Sequence, residues 1–502
     1  MHDEETVNNS NTISGKIKVA SRIIDYLSSG LYNTPAACLK ELVNNAYDAG
    51  ATRVDIYVKP DADQIIIEDN GQGMSKEEFQ SHFDRISESH KRDDTDHVKR
   101  RPKIGKIGIG MIAANELCEI MEIYTTKEGS AELLHVFINF DEMRKPPHER
   151  KTANDEYTKA DYSGVIYTTD HEAHYTKIFL TSIRGESKNI LNGANAGDPK
   201  GDAISLYGRS PQSVEKILMG RPDSWKRFDL YSETMLRIAL NVPVRYYPNW
   251  IPSSLKSEVT DMEVEIEELD FSVFYDGTEL FKPTVLNPPD EYFILKRFEF
   301  KGELVSAHGY FYAQHTSIKP QDINGLLVRI RNSAVAEYDP EFWGFPKSRH
   351  GLIKNWVSCE VWANDGLEVA MNIDRRTLRP VHPAYVELRN ALHSFLNTFL
   401  NEATEEVYRV PSRQRKSEKT TIEVKDIQEF VSSKLQPVAP VASANIGRFI
   451  AKSQSDVKAR RFVQRQYSFV EFYEVVLEVA QETLPPDVLP IFIEKLTERI
   501  QR

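Results

Sequence analysis

Glu41, Asn45 and Asp48 stand four and three residues apart in the run Glu41-Leu-Val-Asn-Asn-Ala-Tyr-Asp-Ala49. On a helix that spacing projects their side chains from one face into one cavity. A carboxylate so placed can accept a proton from an attacking water. An Asn carbonyl is a hard oxygen ligand that suits magnesium, which takes few protein ligands and leaves the rest to phosphate and water. The plainer reading is an amphipathic surface helix with two solvated acids. Downstream, Asp69-Asn-Gly-Gln-Gly-Met74 puts a carboxylate where it can accept a hydrogen bond from an exocyclic amine such as adenine's. Its glycines let backbone approach the base, although Asp-Asn-Gly alone is more often a simple turn. Gly105-Lys-Ile-Gly-Ile-Gly110 then leads into Met111–Leu117, a helix start whose free N–H groups can bind phosphate, with Lys106 in the loop. In this order and spacing the three pieces describe a pocket for ATP and magnesium, with a carboxylate placed to activate water.

The elements that must position these residues are readable from periodicity. Ala36 to Ala49 is expected as a helix, with Leu39, Leu42, Val43 and Ala46 on one apolar stripe. Val54–Val58 alternates and Gln64–Asp69 is a buried-type run, so both read as strands. The Gly/Asn-rich stretch 189–201 marks a first boundary. Beyond it strands (Leu304–Ala313, Gly325–Asn332) mix with helices (Pro383–Leu400). A polar stretch, 409–419, and Gln436-Pro-Val-Ala-Pro440 are breaks before a helical tail. There Phe469, Phe472, Tyr473, Val476, Val479 and Ala480 form an apolar stripe suited to a partner or to the tail's own domain. The expected fold class is α+β. Its parts are residues 1–195 (nucleotide domain with strap and lid), 196–405 (middle domain), 406–440 (linker) and 441–502 (helical region).

The three motifs resemble those of the GHKL ATPases: gyrase, heat-shock-protein-90 chaperones, histidine kinases, MutL mismatch-repair proteins and microrchidia (MORC) ATPases. The resemblance implies a Bergerat-fold sandwich over residues 16–185, followed by a βαβ transducer domain. It assigns Glu41 as general base, Asn45 as magnesium ligand, Asp48 as supporting acid and Asp69 as adenine contact. Gly73 and Met74 would wall the base, and Gly105, Lys106, Gly108 and Gly110 would form the phosphate loop. His82–Lys91 is similar to the entry of an ATP lid, so Ser89 and Lys91 become nucleotide contacts and 92–103 the lid. Within the lid, the basic cluster Lys99–Lys103 reads either as a phosphate attractor or as a solvated loop. Thr176, in Tyr175–Leu180, resembles the threonine that closes the pocket. Histidine kinases carry Asn where this chain has Glu41, and no phospho-acceptor helix precedes the pocket, so hydrolysis is the better reading.

A second resemblance lies far away in the chain. Glu368-Val-Ala-Met-Asn-Ile-Asp-Arg-Arg-Thr-Leu378 is similar to the middle-domain segment of heat-shock-protein-90 chaperones whose arginine reaches the terminal phosphate. Arg375 takes that place, and a guanidinium there would stabilise phosphate charge. Alternatively, Arg375 pairs with Asp374 or Glu368. MORC-type proteins use a lysine for this task, with Lys319 or Lys354 as counterparts.

Composition sets the remaining bounds. The 502 residues are ample for several buried cores, and the net charge of −12 argues against nonspecific affinity for nucleic acid. Three scattered cysteines suit a reducing compartment and carry no metal spacing. With no spanning or signal segment, a cytoplasmic, membrane-free protein is expected. The expected activity is an ATP-gated clamp, dimerising through its N-terminal domains when ATP binds and remodelling a protein or nucleic-acid client, with phage defence one context. A nucleotide-sensing scaffold with little hydrolysis and a MutL- or topoisomerase-like DNA clamp are the other readings.

Overall fold

The structure is a computed structural model that describes residues 34–59, 61–84, 101–104, 110–145, 162–193, 202–346, 355–372, 377–409, 476 and 478–500. By tertiary contacts the chain divides into Met1–Tyr408 and Arg409–Arg502.

The first described helix, α1 (Pro35–Asp48), begins where the Thr34 hydroxyl accepts from the Ala37 N–H and Pro35 fills a position that needs no donor. Its apolar stripe, Leu39, Leu42, Val43 and Ala46, is buried as the periodicity predicts. That stripe shares one apolar core with a mixed sheet of eight strands. The strands are β1 (Arg53–Tyr57), β2 (Gln64–Asp69), β3 (Cys118–Thr126), β4 (Glu132–Asn139), β5 (Tyr162–Thr168), β6 (Tyr175–Ile183), β7 (Ser272–Tyr275) and β8 (Thr278–Glu279). Their order is β5-β4-β3-β6-β2-β1-β7-β8, antiparallel except for the parallel β1–β7 pair.

Alternation and register put one set of residues on the helix-covered face. Ile67, Ile178, Ile123 and Val136 form one row across β2, β6, β3 and β4, and Ile65, Leu180, Met121 and Ile138 form the next. The sheet does not end at the Gly/Asn-rich stretch. Asn189, Ile190 and Leu191 there close a helix, Gly185–Leu191, instead of belonging to a loop. β7 and β8, which lie beyond that stretch in sequence, complete the same sheet.

The five-stranded second sheet has the order β12-β11-β13-β10-β9. It comprises β9 (Phe293–Lys301), β10 (Ser306–Gln314), β11 (Gly325–Ile330), β12 (Ser333–Ala334) and β13 (Val357–Ala363). Pro383–Ala403 is a helix that lays Leu388, Leu392, Leu396 and Phe399 on this sheet in one buried stripe. Among the described residues of the second unit, Leu489–Ile500 is helical. Of the apolar tail stripe, Val476, Val479 and Ala480 are described and helical; Phe469, Phe472 and Tyr473 lie outside the described residues.

A fully buried ion pair joins the second sheet to the elements beside it. Glu360 of β13 accepts from Arg329 Nε (2.7 Å) and from the hydroxyls of Tyr246 (2.8 Å), Tyr338 (2.7 Å) and Thr284 (2.9 Å). Burial opposes ionisation of Glu360, but Arg329 and Lys282 outweigh it and hold the carboxyl down at about 2. Lys282, also buried, donates to the Val242 carbonyl (3.2 Å). No described helix is long and apolar enough to cross a membrane.

Candidate functional site

One end of the helix-covered sheet face is polar where the rest is apolar. Register places Asp69, Thr176 and Thr125 in a row across β2, β6 and β3, one step beyond the Ile67 row. All three are buried. Thr125 Oγ1 and Thr176 Oγ1 are 3.0 Å apart, and Thr125 Oγ1 also accepts from the Met74 N–H at 3.0 Å. The row therefore fixes the backbone of the Asp69–Met74 turn as well as lining the face. Thr125 escaped sequence reasoning; its one signal is its place two residues after Ile123 in a strand of alternating burial.

Asp69 is 7% exposed and accepts from the Gly71 N–H at 2.9 Å. Burial pushes its carboxyl up to about 7, against the smaller opposing effect of that hydrogen bond. The turn holding it is tight. Gly73 has φ +67°, and a Cβ there would lie 1.9 Å from the Thr126 carbonyl oxygen. The Gly71 carbonyl is 2.8 Å from His174 Nδ1, and the Gln72 N–H donates to the Ala49 carbonyl at 2.9 Å. These bonds tie the turn to β6's lead-in and to the end of α1.

The three candidate residues of α1, Glu41, Asn45 and Asp48, divide between two rows. Lys40, Asn44 and Asp48, four apart, are buried; Glu41 and Asn45, in the adjacent row, are half-buried. Asp48 Oδ1 accepts from the Ile104 N–H at 2.5 Å, so this acid holds the residue just before the glycine-rich run 105–110. Asn45 Nδ2 is buried and has no partner among the described residues, which leaves this end of the amide uncommitted there. Rotation by half a turn exchanges it with the carbonyl oxygen, which makes the side chain fit a hard cation.

Gly110 opens a 3₁₀ helix, Gly110–Glu116, packed against α1, where an α-helix start is expected from sequence. Ser89, Lys91, Gly105, Lys106, Gly108, Arg375 and Lys354 lie outside the described residues. Thr377 and Leu378 on one side pair with Met371 and Asn372 on the other, through a Met371–Leu378 bridge and an Asn372 N–H to Thr377 carbonyl bond of 2.9 Å. Glu368, one of the acids considered for Arg375, accepts from Arg331 at 2.8 Å. Lys319 is ion-paired with Asp223. The basic lid cluster is corrected at Arg101: this side chain is 4% exposed and donates to the carbonyls of Leu269 (2.9 Å) and Ala51 (2.8 Å). It is a buried anchor, neither solvated nor turned to phosphate.

Residues 32–176 match the family described as histidine kinase-, DNA gyrase B- and HSP90-like ATPases. A Herpetosiphon aurantiacus protein named as a candidate type II restriction enzyme, HgiDII, is 38% identical over 106 residues, covering 21% of this chain and 17% of that protein. The DNA mismatch repair protein MutL of Bacillus cytotoxicus is 27% identical over 173 residues, covering 34% of this chain and 26% of MutL. MutL of Bacillus anthracis gives 27% over 172 residues. Each match spans about a quarter or less of the relative's length. The amino-terminal segment belongs to the GHKL ATPase superfamily.

Proposed function

We propose that this protein hydrolyses ATP and uses the cycle of binding and hydrolysis to drive a conformational clamp on a macromolecular client. The observation that carries the reading is the polar row at the sheet end. Asp69, Thr176 and Thr125 line up there, and the turn after Asp69 is bonded through the Gln72 N–H to the Ala49 carbonyl at the end of α1, the helix that bears Glu41 and Asn45. In this reading Asp69 accepts from the adenine amine, Gly73 and Met74 wall the base, and Thr176 closes the pocket. Asn45 is the residue that would hold magnesium, whose charge would offset that of the phosphates. Glu41, half-buried, accepts a proton from the attacking water. Asp48 acts one step back, by holding Ile104 ahead of the loop 105–110, and Arg375 is proposed to complete the phosphate site. ATP-dependent pairing of two N-terminal domains is the proposed movement, with the heat-shock-protein-90 and MORC ATPases as analogues and phage defence as one setting.

The decisive experiment is Glu41→Ala. The variant should bind ATP with magnesium near wild-type affinity while turnover falls by about a hundredfold or more. Hydrolysis retained in Glu41→Ala would refute this assignment, and absence of nucleotide binding in the wild type would refute the whole reading. A second reading, a DNA clamp, is supported by relatives named for mismatch repair and restriction. DNA-stimulated ATPase activity that weakens as salt rises would favour it.

A further inference from the structure

We infer that Arg331 is a positioning residue for the proposed ATP turnover, gripping the peptide that leads into the glycine loop from the side opposite Asp48. The inference deepens the ATPase reading and rests on it. Arg331 Nη1 donates to the Lys103 carbonyl, and the Ile104 N–H donates to Asp48 Oδ1 at 2.5 Å. That carbonyl and that N–H belong to one peptide unit. The unit is thus clamped between the nucleotide helix α1 and the β11–β12 hairpin of the second sheet. Arg331 is itself held by Asp365 (Nε to Oδ1, 2.9 Å) and Glu368 (Nη2 to Oε2, 2.8 Å), and its side chain is 7% exposed. Three acceptors on three sides are a task for a planar guanidinium fork, which a single ammonium cannot reproduce.

Two further observations show that this hairpin is built to carry the arginine. Ile330 pairs with Ser333, so Arg331 and Asn332 are the whole turn, with φ +52° and +65°. A two-residue turn with both centres left-handed favours glycine and asparagine. Asn332 fits, and its Oδ1 accepts from Trp362 Nε1 at 2.7 Å. Arginine does not fit on backbone grounds, so its side chain is what the position uses. The same hairpin also reaches α1 directly: Lys40 Nζ, one residue before Glu41, donates to the Ala334 carbonyl at 3.1 Å in a buried contact. Any shift of the hairpin relative to α1 must therefore break one of these bonds or carry the Lys103–Ile104 peptide with it.

The test uses the full chain with Arg331→Gly and Arg331→Lys. Glycine suits the left-handed turn, so the hairpin should persist without the side chain. The Ile104 amide should then exchange with deuterium at least about tenfold faster. The kcat for ATP should fall about tenfold with KM within about threefold of wild type, and lysine should not restore it. A purely structural role would lower the melting temperature and leave kcat per folded molecule intact. Unchanged exchange at Ile104, or faster exchange with kcat within about twofold of wild type, overturns the inference. If Arg331→Gly melts earlier, Glu368→Gln combined with Asp365→Asn keeps the turn residue and is judged by the same two readouts. A wild type that neither binds nor hydrolyses ATP fails the proposed function, and the Ile104 exchange still reports the grip separately.

Discussion

Asp69→Asn should make the protein more stable while abolishing nucleotide binding, and the gain should depend on pH. An Asp that ordinarily titrates at 3.8 titrates at about 7 here because burial penalises its charge. Between those values the folded state keeps a proton that the unfolded chain has released. Stability therefore falls as pH rises through this window, and the full penalty is present above pH 7. Three pH units at about 1.4 kcal/mol each put the ceiling at about 4 kcal/mol. Asn carries no charge and so escapes the penalty, and its carbonyl oxygen can still accept from the Gly71 N–H. Its amide nitrogen, if left unpaired, takes back about 1–3 kcal/mol. The net expectation at pH 8 is a gain of about 1–3 kcal/mol, shrinking towards zero or reversing near pH 4. Urea unfolding of wild type and variant across pH 5 to 8 measures the difference, and calorimetry with ATP measures binding. An advantage that is absent at pH 8, or that does not widen with pH, would refute the reasoning about Asp69. Wild-type affinity for ATP in the variant would separately refute its assignment to the adenine amine.

Two other perturbations probe the frame around the site. Gly73→Ala adds a methyl group 1.9 Å from a backbone oxygen at a left-handed position; it should cost about 2 kcal/mol or more and weaken nucleotide binding, read by thermal unfolding and calorimetry. Glu360→Gln leaves the Arg329 charge buried without its counter-ion, with Lys282 nearby, and should destabilise by about 3–5 kcal/mol without altering nucleotide affinity in the protein that remains folded.

What the sequence made legible was local. The stripe Leu39, Leu42, Val43 and Ala46 repeats at helical spacing, and the structure returns a helix within one residue of the expected ends. Gln64–Asp69 is a strand at those limits because an apolar run stopped by Asn-Gly has few other fates. What stayed hidden depends on partners distant in the chain. Arg101 satisfies the carbonyls of Ala51 and Leu269, 50 and 168 residues away, so its neighbours in a basic, lid-like run pointed to solvent. Thr125 becomes a site residue only once β3 is laid beside β6. The joining of β7 to β1 is likewise a parallel pairing over more than two hundred residues, for which no periodicity gives a signal.

The division of α1 into two rows changes how its acids should be understood. Spacing alone groups Glu41, Asn45 and Asp48 on one face, since steps of three and four are both neighbours on a helix. Burial separates them. The row Lys40–Asn44–Asp48 faces inward, where Lys40 binds the Ala334 carbonyl and Asp48 binds the Ile104 N–H. The row Glu41–Asn45 lies one position round the helix and keeps partial access to solvent. A helix pinned along one row cannot rotate or slide without breaking buried hydrogen bonds, so the adjacent row is presented at a fixed angle. Rigid presentation is what a general base requires, because proton transfer demands hydrogen-bond geometry at the reacting water. The inward row and the hairpin that holds it therefore belong to the proposed chemistry as much as the residues that would touch ATP.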